Sequence, residues 1–253
     1  MSDLIMLVSS SQRLTYSTEA AVGQAVGDLI VEIIGRKPAA VLGLATGATM
    51  EPVYANLVAA FKRGDVSFAG VTSFNLDEYV GIPTSHPRSY RSTMNALFFD
   101  HVDIDKNRTF LPEASVDKPD EAGERYERMI AKAGGIDLQL LGIGRNGHIG
   151  FNEPGSAKDS RTRLVELHED TLRANARFFS DRPVPSSAIT MGIGTILSAK
   201  QIVLTATGVA KADAVRRATS GGFQADCPAS ALQEHDKVSW FFDRAAAGLR
   251  MAA

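Results

Sequence analysis

The sequence lacks three features, each of which would have placed it in a broad class of protein. It has one cysteine in 253 residues, Cys227, so an internal disulfide is excluded and a reducing compartment is expected. No apolar segment approaches the roughly 20 residues needed to cross a bilayer, so no membrane span is expected. The 27 basic and 29 acidic residues leave a net charge of −2, so a nucleic-acid partner is not expected either.

Targeting and metal-binding patterns are also missing. The first 20 residues contain a short apolar run with no basic residue before it, which favours a first strand over a signal peptide and predicts a cytoplasmic protein. No metal or other cofactor is expected, because four of the histidines stand singly without ligand spacing: His86, His101, His168 and His235. No repeat or linker interrupts the chain, so residues 1–253 are predicted to form a single domain. The oligomeric state stays open, and a homo-oligomer is one of the outcomes considered.

Short apolar runs alternate with longer amphipathic ones along the chain. Strands are predicted at 39–45, 70–77, 136–144, 201–208 and 237–242. Helices are predicted at 18–36, 50–64, 119–135 and 209–222, with Thr18 as an N-cap and Gly64 as a stop. This alternation is typical of a doubly wound α/β fold, a mostly parallel sheet with helices on both faces. Such sheets bind ligands beyond the carboxyl ends of their strands.

The first candidate site follows the strand at 39–45. In "GLATGATM" (43–50) the strand runs into a glycine- and threonine-containing turn and then a helix. Backbone N–H groups in such a turn, at a helix N-terminus, form an anion site to which threonine hydroxyls add donors. The spacing is that of neither a dinucleotide-binding nor a P-loop motif, and a plain tight turn remains the alternative.

The second candidate lies in "FNLDEYVG" (74–81), where Asp77 and Glu78 end an apolar strand. One carboxylate could face a pocket and the other a neighbouring helix. A partly buried carboxylate there would suit removal of a proton from carbon next to a carbonyl or imine. Helix caps and solvated turn residues are the alternatives for acidic residues at a strand end.

The third candidate is "GRNGHIGFNEPG" (144–155), at the end of the strand at 136–144. Gly147 is expected to allow a tight turn and Gly150 to leave room beside the ring of His148. Asn146 and Glu153 are close enough in sequence to reach this ring or its ligand. The glycine flanks and the strand-end position favour a functional histidine over a structural one.

Two cations complete the set. Arg177 in "NARFF" and Lys211 in "GVAKAD" each follow a break in pattern, and Lys211 lies in the first turn after a strand, where it could meet a phosphate. A solvated surface charge is the alternative for each. An anion turn, a carboxylate and a histidine at three strand ends predict a pocket for a small phosphorylated molecule undergoing acid–base chemistry. These residues do not name the substrate.

Several longer motifs together resemble the glucosamine-6-phosphate deaminase family. They run in one order from about residue 40 to about residue 245: "GLATGATMEPVY", "SFNLDEYVGIPTSHPRSY", "FFDHVDI", "GIGRNGHIGFNEPGS", "SRTR", "ANARFF", "MGIGTIL" and "ALQEH". The resemblance implies a Rossmann-like three-layer domain and a metal-free conversion of glucosamine 6-phosphate to fructose 6-phosphate and ammonia.

The resemblance also implies roles for individual residues. Asp77 would be the base that moves a proton from C2 to C1. His148, helped by Glu153, would open the pyranose ring. The phosphate would be held by Thr46, Gly47, Ala48, Thr49, Arg177 and Lys211.

This sequence departs from the better-known family pattern at two positions. Asn146 stands where that pattern has an aspartate that orients the histidine; its amide oxygen can accept the ring N–H but carries no charge. Longer members have an allosteric site around an "SRTR-I-K" stretch and a C-terminal extension. Arg163 matches that stretch, but Val165 takes the lysine position and the sequence ends at Ala253. We therefore expect no activation by N-acetylglucosamine 6-phosphate.

Three other functions compete with this interpretation. A galactosamine-6-phosphate deaminase would share the motif residues, because the two sugars are epimers. A 6-phosphogluconolactonase also has a glycine-flanked histidine but lacks the Phe-Asn-Glu-Pro that follows it here. A non-catalytic phosphosugar sensor would need a DNA-binding module, which we do not find, and would not need Asp77 and His148 together.

Overall fold

A seven-stranded parallel sheet forms the centre of the computed structural model, which describes residues 11–113, 118–176, 179 and 183–249. The strands in these residues are β1 (Gln12–Tyr16), β2 (Val41–Leu44), β3 (Thr72–Asn75), β4 (Asp77–Tyr79), β5 (Thr109–Phe110), β6 (Leu138–Leu141), β7 (Arg163–Glu166), β8 (Ser187–Thr190), β9 (Ile202–Ala206) and β10 (Val238–Asp243). The helices are α1 (Glu19–Arg36), α2 (Glu51–Arg63), α3 (Tyr90–Leu97), α4 (Pro119–Lys132), α5 (Glu169–Ala176), α6 (Ile193–Leu197) and α7 (Ala212–Ala218). None of these helices is long and apolar enough to cross a membrane.

The strand order of the large sheet is β1-β10-β9-β6-β2-β3-β5, and every neighbouring pair is parallel. From β2 the chain first builds outward through β3 to β5, and then returns to place β6 on the other side of β2. The topological switch point therefore lies between β2 and β6, where ligands bind in doubly wound sheets. The predicted fold class is confirmed.

Local sequence signals account for the first two helices. Thr18 caps α1, its side chain accepting the Ala21 N–H at 3.1 Å, and Val22 and Ile30 of the predicted apolar stripe are buried. The helix α2 ends at Gly64, which has a φ of +80° and closes the helix as predicted.

A second, smaller sheet is a feature that the sequence analysis did not predict. The order of its antiparallel strands is β4-β8-β7. The predicted strand 70–77 is therefore wrong as one element: it divides at Leu76, and Asp77 begins a strand of the other sheet. A separate apolar cluster packs around this sheet and includes Tyr79, Phe151 and Leu167. The segment 154–176 contains β7 and α5.

Candidate active site

Four neighbouring strands bring the predicted site residues to one edge of the large sheet. The strands β9, β6, β2 and β3 are adjacent in that order, and all run in the same direction. Their carboxyl ends lead to Lys211, the loop 144–153, the turn 46–49 and Asp77, respectively. One predicted residue, Arg177, lies outside the described residues.

The turn 46–49, which follows β2, leaves its backbone open to a ligand. Gly47 has a φ of +142°, which favours glycine, and the position where a Cβ would stand has no neighbouring atom within 4 Å. Gly47 and Ala48 are exposed, and a 3₁₀ turn over Ala48–Met50 leads directly into α2. The Thr46 hydroxyl is buried and has no hydrogen-bond partner among the described residues. Backbone, hydroxyl and helix N-terminus are thus placed as an anion site requires.

Asp77 is placed by backbone bonds to both sheets. Leu76, directly before it, donates its N–H to the Leu44 carbonyl of β2 at 2.9 Å and accepts the Met191 N–H at 2.7 Å. The Asp77 side chain is 6% exposed. Burial, and then the charge of Glu78, raises the pKa of the Asp77 carboxyl to about 8. A carboxyl of this kind can hold or release a proton near neutral pH, as a general base requires.

Glu78 faces the other way and has a structural function. Its carboxylate accepts N–H bonds from Tyr79 at 2.9 Å, Tyr90 at 2.8 Å and Arg91 at 2.9 Å. Two of these donors belong to the first turn of α3, so the second carboxylate of the pair caps a neighbouring helix. Burial raises the pKa of Glu78, against the effect of these hydrogen bonds.

The glycines around His148 act differently from the sequence expectation. The ring lies against Gly144, where a Cβ would stand 2.3 Å from the ring Cε1. Gly150, expected beside the ring, instead faces the small sheet. A Cβ on it would stand 2.9 Å from the Thr190 Oγ1 and 3.5 Å from the Asp77 Oδ2. The tight turn at Gly147 is confirmed, with a φ of +91°. The loop 144–153, called the histidine loop below, therefore passes directly beside Asp77.

Glu153 is the central acceptor of the histidine loop. One of its oxygens, Oε2, lies 3.3 Å from the His148 Nδ1 and accepts the Asn146 Nδ2 at 2.7 Å. The other, Oε1, accepts the Thr171 hydroxyl at 2.5 Å. Burial alone would raise the pKa of Glu153, but these three partners outweigh it and lower the pKa to about 2. Glu153 is thus a permanent negative charge beside the imidazole at physiological pH.

Asn146 occupies the site, although it does not accept the ring N–H as expected. Its Oδ1 accepts the backbone N–H of His148 at 3.2 Å, while its Nδ2 donates to Glu153. The carboxylate can only accept, so it takes the donor end of the amide, and the amide oxygen must point to the backbone. Asn146 therefore acts on His148 through Glu153 and through the loop backbone.

Lys211 and a second cation lie at the ends of β9 and β6. The Lys211 Nζ donates to the Ile143 carbonyl at 2.6 Å, and its pKa is lowered by burial and then by the charge of Arg145. Arg145 is exposed and forms no ion pair among the described residues. Two cations held close without an anion favour binding of an anionic ligand. Sequence reasoning missed Arg145, although its place in "GRNGH" after a predicted strand end was a usable signal.

Neighbouring segments hold the histidine loop from outside. The Arg217 Nη2 of α7 donates to the Asn146 carbonyl at 3.0 Å, and the Ala229 N–H donates to the Gly147 carbonyl at 2.9 Å. The buried Cys227 packs against the bare backbone of Gly147.

Across the described ranges, no group of three or more His, Cys, Asp or Glu side chains could hold a metal ion. The site combines a buried carboxyl, an imidazole–carboxylate pair and a turn with donors suited to an anion.

Comparisons with known proteins agree on a family. Residues 15–240 match the sequence model of the glucosamine-6-phosphate isomerases/6-phosphogluconolactonase family. A glucosamine-6-phosphate deaminase of Rhodopirellula baltica is 55% identical over 225 residues, which are 88% of this chain and 90% of that protein. The solved structure of a monomeric glucosamine-6-phosphate deaminase has a TM-score of 0.90 and 44% identity, covering 95% of this chain and 100% of the other.

The wider family shares the fold at much lower identity. A 6-phosphogluconolactonase of Leishmania guyanensis superposes with a TM-score of 0.74 at 17% identity, covering 96% of this chain and 100% of the other. This likeness shows the fold alone, whereas the two deaminases are 55% and 44% identical to this chain. The resemblance inferred from the motifs is confirmed, and the chain belongs to the glucosamine-6-phosphate isomerase/6-phosphogluconolactonase family.

Proposed function

We propose that this protein is a glucosamine-6-phosphate deaminase, which converts glucosamine 6-phosphate and water to fructose 6-phosphate and ammonia. One observation carries the proposal. The buried carboxyl of Asp77 lies beside the loop that carries the His148–Glu153 pair: a Cβ on Gly150 of this loop would stand 3.5 Å from the Asp77 Oδ2. A deaminating aldose–ketose isomerase needs one group to open the sugar ring and another to move a proton between carbons. The high identity to named deaminases supports the same reaction.

The phosphate binds first in this mechanism and orients the sugar. The turn 46–49 supplies backbone and hydroxyl donors, and Lys211 and Arg145 supply positive charge. We keep Arg177 in this set as a prediction. Since the turn follows β2, between Asp77 after β3 and the histidine loop after β6, a phosphate held there directs the rest of the sugar along both acid–base groups.

Ring opening is the task of His148. The imidazole takes the proton of the C1 hydroxyl and returns a proton to the ring oxygen, so that the C1–O5 bond breaks and C1 becomes an aldehyde. Glu153 stays ionised throughout, because its pKa is about 2, and its charge stabilises the imidazole while that ring carries the extra proton.

Proton transfer between carbons is the task of Asp77. Its carboxylate removes the C2 proton while the C1 oxygen takes up a proton from water, which gives an enolamine across C1 and C2, and the carboxyl then delivers its proton to C1. C2 is now an iminium; water adds to it, ammonia leaves, the added oxygen returns a proton to water, and the C2 ketone of fructose 6-phosphate remains. The raised pKa of Asp77 makes the carboxylate a stronger base toward carbon than an exposed aspartate would be.

We also propose a domain organisation and a location for this protein. The whole chain, residues 1–253, is one phosphosugar domain, since the family match spans nearly all of it. The free and buried Cys227 fits a reducing, cytoplasmic location. The similar deaminase of solved structure is described as monomeric, and a homo-oligomer remains a prediction for this chain.

The deciding experiment measures ammonia release from glucosamine 6-phosphate, with galactosamine 6-phosphate in parallel and a chelator present. Rapid release from the gluco sugar in the presence of chelator is expected. Release mainly from the galacto sugar would keep the mechanism but change the substrate. Release from neither, with hydrolysis of 6-phosphogluconolactone instead, would favour the lactonase, and binding without turnover would favour the sensor.

Removal of the Lys211 charge is expected to weaken binding of phosphorylated ligands. A charge-assisted contact contributes about 1.5–3 kcal/mol, so Lys211→Ala should raise KM for glucosamine 6-phosphate about 10- to 100-fold. Lys62→Ala, at an exposed position in the last turn of α2, is the matched control and should leave KM unchanged. An unchanged KM in Lys211→Ala would place this lysine outside the phosphate site.

We expect no activation by N-acetylglucosamine 6-phosphate. Val165 replaces the lysine of the longer relatives and packs against the apolar cluster of the small sheet, and the Arg163 guanidinium is turned inward to Asn152. Initial rates should therefore depend hyperbolically on substrate, with or without the N-acetylated sugar. Sigmoidal kinetics that this compound abolishes would contradict the prediction.

A further inference from the structure

Asn152 is a fully buried amide inside the histidine loop, directly before Glu153. All of its side-chain hydrogen bonds are directed to the protein interior. Its Nδ2 donates to the Ile149 carbonyl and to the Met191 carbonyl, each at 2.8 Å. Its Oδ1 accepts from the Arg163 Nη1 at 2.9 Å. The side chain is 0% exposed, so each of these bonds forms away from water and is costly to lose.

Arg163 fixes which way this amide points. A guanidinium has donors only, so it must face the amide oxygen, and the amide NH₂ must then face the two carbonyls. The other contacts of Arg163 are longer and involve neutral oxygens, the Ser156 hydroxyl and the Arg161 carbonyl, both at 3.4 Å. Among the described residues no carboxylate pairs with Arg163, and burial lowers its pKa. Ion pairing therefore does not account for its position, whereas the amide does.

Asn152 contacts the end of β8, the strand that pairs with β4 at Asp77. Met191 follows β8 and donates its N–H to the Leu76 carbonyl, next to Asp77. Thr190 of β8 is paired in register with Asp77 on one side and with Arg163 on the other. The Thr190 Oγ1 also accepts the Phe151 N–H at 3.1 Å. One amide thus connects the histidine loop to the end of β8, which pairs with β4 at Asp77, and to β7 on the other side of β8.

We propose that Asn152, oriented by Arg163, is a positioning residue that fixes the histidine loop relative to Asp77. The inference rests on the proposed function, in which both groups act on the same sugar. His148 must reach the ring oxygen and C1 while Asp77 reaches C2 and C1, so their separation is set by the substrate. A misplacement of about 1 Å in such an arrangement costs on the order of 100-fold in rate. Most of the proposed phosphate site, the turn 46–49 and Lys211, lies on other loops, and Arg145 is its one member on the histidine loop.

The test is a double-mutant cycle between Asn152 and His148. Asn152→Asp keeps the shape and the contact to Arg163 but turns a second oxygen toward the Ile149 and Met191 carbonyls. We expect kcat to fall about 10- to 100-fold with KM for glucosamine 6-phosphate nearly unchanged. In a His148→Gln background the same change should cost little, because the group that it positions is already gone. Asn56→Asp, which alters an amide donating to the Pro52 carbonyl on α2, is the control and should leave kcat unchanged.

Arg163 provides a second, independent arm in case Asn152→Asp does not fold. Arg163→Met frees the amide to turn and should lower kcat, whereas Arg163→Lys keeps a donor and should restore part of it. Rate losses that simply add to the loss in His148→Gln, in either arm, would overturn the inference, since a general loss of stability is expected to be additive. A His148→Gln protein with normal kcat would overturn the proposed function itself, and this inference with it.

Discussion

Replacement of Asp77 by asparagine is expected to abolish turnover while leaving substrate binding nearly intact. The amide has the same shape but cannot take the C2 proton, and a positioned general base contributes about 10²- to 10⁴-fold to the rate. KM, or the affinity for fructose 6-phosphate, should change little, because in the proposed mechanism the phosphate is held by the turn 46–49 and by Lys211. Turnover close to that of the unchanged protein would remove Asp77 as the base.

The same substitution is expected to stabilise the fold, by an amount that grows as pH rises. The pKa of Asp77 is raised from an ordinary value of 3.8 to about 8 by burial and then by Glu78. Between these values the folded protein holds a proton that the unfolded chain has lost, so the free energy of unfolding falls as pH rises through this window. Asparagine carries no charge at any pH and avoids this cost, which reaches about 6 kcal/mol at most.

Thermal unfolding of the two proteins at several pH values measures this effect. At pH 8 the Asp77→Asn protein should melt roughly 5–15 °C higher than the unchanged protein, and near pH 4 the difference should vanish. An equal difference at both pH values would mean that the amide packs better, with no contribution from the proton. Equal melting temperatures throughout would mean that the Asp77 carboxyl is not destabilised by its surroundings.

Much of the site could be predicted because each group follows an apolar strand. In a parallel sheet the carboxyl ends of neighbouring strands share an edge, so Asp77, His148 and Lys211 were placed together without any tertiary information. The capped helix at Thr18 and the stop at Gly64 were predictable for an equally local reason. Periodicity and caps act within a few residues, and the alternation of strands and helices restricts the fold class.

What could not be predicted depends on contacts between distant segments. Asp77 begins a strand of three residues whose partner, β8, lies far along the chain, so periodicity continued it into β3 instead. Room beside the ring of His148 was assigned to Gly150 but is provided by Gly144, because only the folded loop shows which backbone lies against that ring. Asn146 lies near His148 as predicted, but its amide does not accept the ring N–H. It donates to the Glu153 carboxylate instead, and the motif does not show that this carboxylate needs a donor.

Glu153→Gln is expected to slow ring opening strongly. The substitution removes the negative charge 3.3 Å from the His148 Nδ1, so the protonated imidazole formed during the reaction loses its stabilising partner. We expect kcat to fall about 100-fold or more, which is the usual contribution of a positioned acid–base group. Glu166→Gln, at an exposed glutamate of β7, is the matched control and should keep its activity. A normal kcat in Glu153→Gln would remove this carboxylate from the mechanism.

The stability effect of Glu153→Gln should be opposite in sign to that of Asp77→Asn, although both replace a buried carboxyl by an amide. The pKa of Glu153 is lowered from 4.5 to about 2, so the ionised carboxyl stabilises the fold above pH 4.5, and this contribution is lost as pH falls toward 2. At pH 7 the Glu153→Gln protein should therefore be less stable by up to about 3 kcal/mol, with the difference shrinking below pH 4.5. Denaturant unfolding at pH 7 and pH 3 measures both values. The same sign for both substitutions at pH 7 would mean that the two carboxyls are not held in opposite protonation states, and a site with one proton-holding base and one fixed anion would have to be abandoned.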